Sequence, residues 1–62
     1  MGNFIEVKDS NVNYCINVDW IIAVKECENG SCSIHIKRVD DLPSVFYPSD
    51  WTYSEIQRLL AP

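Results

Sequence analysis

From Val12 onward the apolar residues fall on every second position, Val12, Tyr14, Ile16 and Val18, with Asn13, Cys15 and Asn17 between them. A period of two is that of a strand with one buried face, so the pattern predicts a strand over residues 12–18. Phe4-Ile5-Glu6-Val7 alternates more weakly and runs into Lys8-Asp9-Ser10-Asn11. Short polar side chains in such a cluster bond to their own backbone, which predicts a first strand ended by a turn.

Two further strand-like runs flank Asn29-Gly30: Trp20-Ile21-Ile22-Ala23-Val24-Lys25-Glu26-Cys27-Glu28 before it and Ser31-Cys32-Ser33-Ile34-His35-Ile36-Lys37-Arg38 after it. Asn-Gly favours a two-residue type I′ hairpin, because both central residues need φ > 0 and these two tolerate it best. With those two residues as the loop, Glu28 faces Ser31, Cys27 faces Cys32, Lys25 faces Ile34, Val24 faces His35 and Ala23 faces Ile36. Alternation then sorts the side chains. Ile21, Ala23, Lys25, Cys27, Cys32, Ile34, Ile36 and Arg38 form the expected core face, and Ile22, Val24, Glu26, Glu28, Ser31, Ser33, His35 and Lys37 the other.

Val39-Asp40-Asp41-Leu42-Pro43 interrupts the pattern, and Ser44-Val45-Phe46-Tyr47 is long enough for a short strand before Pro48 removes a backbone donor. Proline confines such a strand to a sheet edge. Thr52-Tyr53-Ser54-Glu55 matches a capping box, and Tyr53, Ile56, Leu59 and Leu60 follow at helical spacing until Pro62. The expected fold is α+β: a small antiparallel sheet of about four short strands with one C-terminal helix packed on one face, in a single β-rich domain over residues 1–62.

Composition changes this picture only at the margins. Apolar residues make up 47% and charged residues 23% of the 62 positions, which suits a folded domain rather than a disordered one. A core of this size seldom supplies more than about 3–5 kcal/mol, so a staple, a metal or a partner subunit is an option from the outset. Five basic residues against nine acidic ones give a net charge of −4, and the basic ones are scattered. Phosphate neutralisation needs a concentrated basic face, which disfavours nucleic acid, and the same count disfavours a membrane surface. No apolar run nears the ~20 residues of a membrane span. The N-terminus lacks a signal-peptide layout, and Glu6 stands where a myristoylation signal after Gly2 needs Ser or Thr. The sequence expectation is a cytoplasmic protein.

Three cysteines exclude a fully paired disulfide framework. In the hairpin register above, Cys27 and Cys32 oppose each other and form a candidate redox pair, set against the plainer reading of two small buried hydrophobes. A zinc site from Cys15, Cys27, Cys32 and His35 meets a geometric objection: Cys32 and His35 are an odd number of residues apart on one strand and point to opposite faces. His35, the single histidine, falls on the solvent face with Ser33 two residues away. Catalysis there would need an oxyanion hole, an orienting group and a cleft, none of which the sequence supplies, so no enzyme and no cofactor is expected. Gly2 and Gly30 are the only glycines, which leaves no phosphate-cradling loop. Trp20, Ile22, Val24 and His35 are the candidate interface, since the helix covers one sheet face and leaves apolar area on the other.

Ile5 and Val7, the segment Ile16-Asn17-Val18-Asp19-Trp20-Ile21 leading to Val24 and Glu26, the return strand's Ile34 and Ile36, and the closing Ile56 and Leu60 resemble the small flagellar-operon proteins of the FlbD type. The resemblance covers most of the chain and rests on an apolar rhythm plus one Asn-x-Asp-x-Ile segment. The two tryptophans and three cysteines lie outside that pattern, and the resemblance implies the fold alone. The functional expectation is a non-catalytic protein-interaction or regulatory module whose partner is another protein or a second copy of itself. The alternatives are a redox-responsive module using Cys27 and Cys32, or a small enzyme around His35.

Overall fold

The structure, a computed structural model, describes residues 3–61; the readings made on Met1, Gly2 and Pro62 lie outside the described residues. The chain runs β1 (Phe4–Asp9), β2 (Val12–Asn17), a 3₁₀ turn (Val18–Trp20), β3 (Ile21–Glu26), a second 3₁₀ turn (Glu28–Gly30), β4 (Cys32–Ile36), β5 (Val45–Phe46) and α1 (Tyr53–Leu60). This is a small α+β fold with antiparallel pairing throughout. The expected α+β fold with antiparallel strands and a C-terminal helix is present, its five strands divided between two sheets, β1-β2 and β3-β4-β5. The break falls at Val18–Trp20, where Asn17 caps the turn by accepting from the Asp19 amide at 2.9 Å. No helix among the described residues is long and apolar enough to cross a membrane.

The first hairpin closes through Ser10 and Asn11, both at positive φ (53° and 65°), which is the geometry of a type I′ turn. Its register, Asp9 opposite Val12 through Phe4 opposite Asn17, is unbroken. Ile5, Val7 and Ile16 therefore share a buried face, and Tyr14 lies beside Val7 on that face. These meet Cys32, Ile34 and Ile36 of β4, Phe46 of β5 and Ile56 of α1 in one core. Phe46 is central to it: it is fully buried, pairs with Ile34, and meets the Tyr14 ring edge-on at 4.8 Å. Aromatic pairs of this kind contribute about 0.5–1.5 kcal/mol beyond area burial.

The expected capping box is present. The Glu55 amide donates to Thr52 Oγ1 at 3.2 Å, and the Thr52 amide donates to Glu55 Oε1 at 2.9 Å. Only Ile56 of α1 is fully buried, whereas Leu59 and Leu60 remain partly open to solvent.

The two sheets are tied by the segment between β5 and α1. In a two-residue hairpin the Lys8 and Glu6 backbones alternate to the outer side of β1, away from β2. That edge is taken up by the chain forty residues on. The Ser49 amide donates to Lys8 O at 2.8 Å, the Lys8 amide to Asp50 Oδ1 at 3.1 Å, and Trp51 Nε1 to Glu6 O at 2.8 Å. The Tyr47 amide also donates a hydrogen bond to Asp9 Oδ2 at 3.0 Å. A side chain here does a strand's work, since the indole N–H stands in for a ladder amide.

Trp51→Phe keeps an aromatic ring but removes that donor and part of the packed indole, so it is expected to cost at least about 1 kcal/mol, the net worth of one such bond. Phe46→Ala, at about 3–5 kcal/mol, should leave the chain largely unfolded at room temperature. Urea melts followed by far-UV circular dichroism check both; a Trp51→Phe midpoint equal to wild type would show that the indole bond contributes nothing.

Candidate functional site

The second hairpin decides which side chains face solvent. Asn29 (φ 59°) and Gly30 (φ 78°) take the positive-φ geometry expected of Asn-Gly, and the Ser31 amide donates to Glu28 O at 3.2 Å. The register above it differs from the expected one. The Cys27 amide donates to Ser31 O at 2.8 Å, so Cys27 and Glu28 both lie against Ser31, which is a β-bulge beside the turn. One residue is thereby added to the β3 side: Glu26 faces Cys32, Lys25 faces Ser33, Val24 faces Ile34 and Ala23 faces His35. A second irregularity between Ile21 and Ala23 leaves Ile22 without a rung, and Ile21 faces Ile36.

For β4 the expected core face stands, since Cys32, Ile34 and Ile36 are all buried. For β3 it is corrected at both bulges. Ala23 and Lys25, expected inside, are exposed, while Val24, expected outside, packs against the core opposite Ile34. A one-residue slip flips every side chain of a strand, and Asn-Gly fixes the turn without fixing the register beyond it.

The expected direct opposition of Cys27 and Cys32 is corrected in the same way. They do not share a rung: Cys32 faces Glu26, and Cys27 lies in the bulge against Ser31. Cys27 is half-buried with its Sγ 3.8 Å from Lys25 O, Cys32 is buried, and Cys15 is exposed on β2. Burial, and secondarily the nearby Cys27, push the Cys32 thiol above its ordinary pKa. The four residues weighed as zinc ligands are not brought together; among the described residues no three His, Cys, Asp or Glu side chains converge on a point where a metal could sit.

His35 and Ser33 do meet: Ser33 Oγ lies 3.1 Å from His35 Nε2, a hydrogen bond that satisfies both on the face shared with Ala23 and Lys25. Ser33, expected in solvent, is only 3% exposed. A hydroxyl so enclosed is poorly placed to attack a substrate, and the contact reads as a local satisfaction of two polar groups.

Of the four candidate interface residues, Trp20 and His35 are half-buried, and Lys37 Nζ sits 4.8 Å above the Trp20 ring. Val24 is partly withdrawn into the core, and Ile22 is 71% exposed. What sequence reasoning missed is the concavity beside Ile22. An open groove of about 390 Å³ runs between residues 21–24 of β3 and Tyr53, Gln57 and Leu60 of α1, with Ala61 just past the helix end. β3 is also an edge strand of its sheet. The Ile36 amide donates across to Ser44 O at 2.9 Å, so the Ile34 and Ile36 backbones serve β5 and that of His35 serves β3. The Val24 and Glu26 backbones consequently point to the open side of β3. The apolar side of α1 that borders the groove is only partly covered, with Leu59 and Leu60 exposed.

Compared with protein-family models, curated proteins and solved structures, the chain matches none of them.

The register and the burial of the thiols each have a measurable consequence. Nuclear Overhauser spectra should show Hα–Hα contacts for the pairs 24/34 and 26/32; an Hα–Hα contact between residues 27 and 32 would restore the unbulged register. Alkylation of the native protein should proceed at Cys15 before Cys32. Because the folded-state pKa of Cys32 is raised, its contribution to stability is full below the ordinary thiol range and is lost as pH rises through the raised value. Replacing it with alanine should therefore flatten the alkaline decline in thermal stability, and an unchanged decline in Cys32→Ala would assign that pH dependence to another group.

Proposed function

We propose that this chain is a non-catalytic protein-interaction module that binds through the edge of β3 and the groove between β3 and α1. The observation that carries this reading is the coincidence of three features in one place: an unpaired strand edge, a concave apolar wall, and an isoleucine standing 71% exposed on its rim. Scattered exposed apolar residues need no explanation, but an apolar knob beside an apolar groove on a strand edge is the composition of a docking surface.

The edges of the first sheet differ. The β1 edge is taken up by residues 47–51. The outward rungs of β2 carry Asn13, Cys15 and Asn17, which offer hydrogen bonding but little apolar area. The side chains lining the groove, apolar apart from Gln57 and the Tyr53 hydroxyl, suit recognition of a partner's side chains better than general acid–base chemistry. A net charge of −4 with scattered basic residues favours a protein partner over nucleic acid. Three unpaired thiols fit a reducing compartment, in keeping with a cytoplasmic setting.

A photoreactive amino acid placed at Ile22 tests the reading against the same probe at Ser10, in the exposed β1-β2 turn. Irradiation of the native protein in cells is expected to give discrete cross-linked species from position 22 and none from position 10. Equal or absent cross-linking from the two positions would contradict the assignment of the surface.

A further inference from the structure

We infer that the occupant of this surface is a second copy of the chain, docked antiparallel across a two-fold axis passing close to Ile22. The inference rests on the interaction reading above and names its partner. A two-fold contact requires a surface complementary to itself, with projection and recess on the same patch. Ile22 supplies the projection, turned outward because the bulge between Ile21 and Ala23 removes it from the ladder. The recess is the groove whose wall it stands on, bounded across by Tyr53 and Leu60.

Charge supports the same arrangement. Two chains of net charge −4 repel one another, so self-association needs a patch where the acidic excess is absent. Residues 20–24, Trp20-Ile21-Ile22-Ala23-Val24, carry no charge. The first charged residues on either side are Asp19 and Lys25, three positions before and three after Ile22, and both are exposed. Antiparallel docking about Ile22 brings Lys25 of β3 in each copy toward Asp19, in the turn preceding β3 of the other, giving two opposite-charge contacts flanking an apolar centre, with Glu26 one position farther out. Centring the contact on Lys25 instead would face two lysines against each other, which is destabilising.

The contact is small. A six-residue strand is about 20 Å long, and a patch of that length with its flanking groove falls below the roughly 800 Å² per partner of tight complexes, which places the dimer in the weak, reversible class.

Sedimentation equilibrium of the full chain from about 10 µM to about 1 mM spans that class. Wild type should show a concentration-dependent monomer–dimer equilibrium. Ile22→Asp, at an exposed site, should weaken it by at least about tenfold with an unchanged circular dichroism spectrum. Lys25→Asp and Asp19→Lys should each weaken it several-fold, because each sets like charges in both flanking contacts, and the double exchange Asp19→Lys/Lys25→Asp should restore it. A strictly monomeric wild type, a dimer indifferent to Ile22→Asp, or a double exchange that fails to rescue overturns the proposed dimer. None of these bears on the cross-linking from position 22, so a monomer that still cross-links to a different protein keeps the interaction surface and loses only this occupant.

Discussion

The bonds between residues 47–51 and the outer edge of β1 hold the two halves of the molecule to each other. A two-stranded hairpin alone is marginal in water, and β1-β2 shares no ladder with β3-β4-β5. The sheets are joined along the chain only by the short turn at Val18–Trp20 and in space by the common core. The returning segment adds directional bonds to that core: the Ser49 amide and the Trp51 indole donate to β1 carbonyls, and Asp50 accepts from the Lys8 amide. It also sets where α1 starts, since Thr52 comes directly after Trp51. With α1 so placed, Ile56 reaches the core while Tyr53, Gln57 and Leu60 stand across a gap from β3. The groove is thus a consequence of how the β1 edge is closed.

This geometry creates an asymmetry between edges. Exposed strand edges promote association unless they are covered, charged or bent. The chain covers one with its own loop, lines another with Asn13 and Asn17, and leaves β3 apolar over residues 21–24, with Asp19 in the turn before it and Lys25 and Glu26 at its end. The bulge at Ile22 bends that edge and turns out an isoleucine, a combination suited to a limited, specific contact rather than open-ended sheet growth.

Much of the local structure is legible in the sequence because it is decided locally. Ser10-Asn11 and Asn29-Gly30 adopt the positive φ their residue types favour, Thr52 and Glu55 make the box that starts α1, and Cys32, Ile34 and Ile36 alternate inward as period two requires. The departures come from contacts between distant residues or from single-residue insertions. Nothing near Trp51 announces that its indole will bond to a carbonyl at position 6. The bulge at Cys27 and Glu28 preserves the Asn-Gly turn while moving every rung of β3, so simple alternation assigns the wrong face to Ala23, Val24 and Lys25 and a direct opposition to Cys27 and Cys32. Of the candidate site, Ile22 is visible from its apolar excess. The groove is not, because it exists only between an edge strand and a helix thirty residues later.

Amide hydrogen exchange read residue by residue in dilute protein compares the two edges directly. The account predicts that the Lys8 and Ser49 amides, held between β1 and the 47–51 segment, exchange more slowly than those of Val24 and Glu26, which face the open side of β3. Fast exchange at Lys8 and Ser49 together with protection at Val24 that persists on dilution would contradict it, placing the closed edge where the open one is claimed.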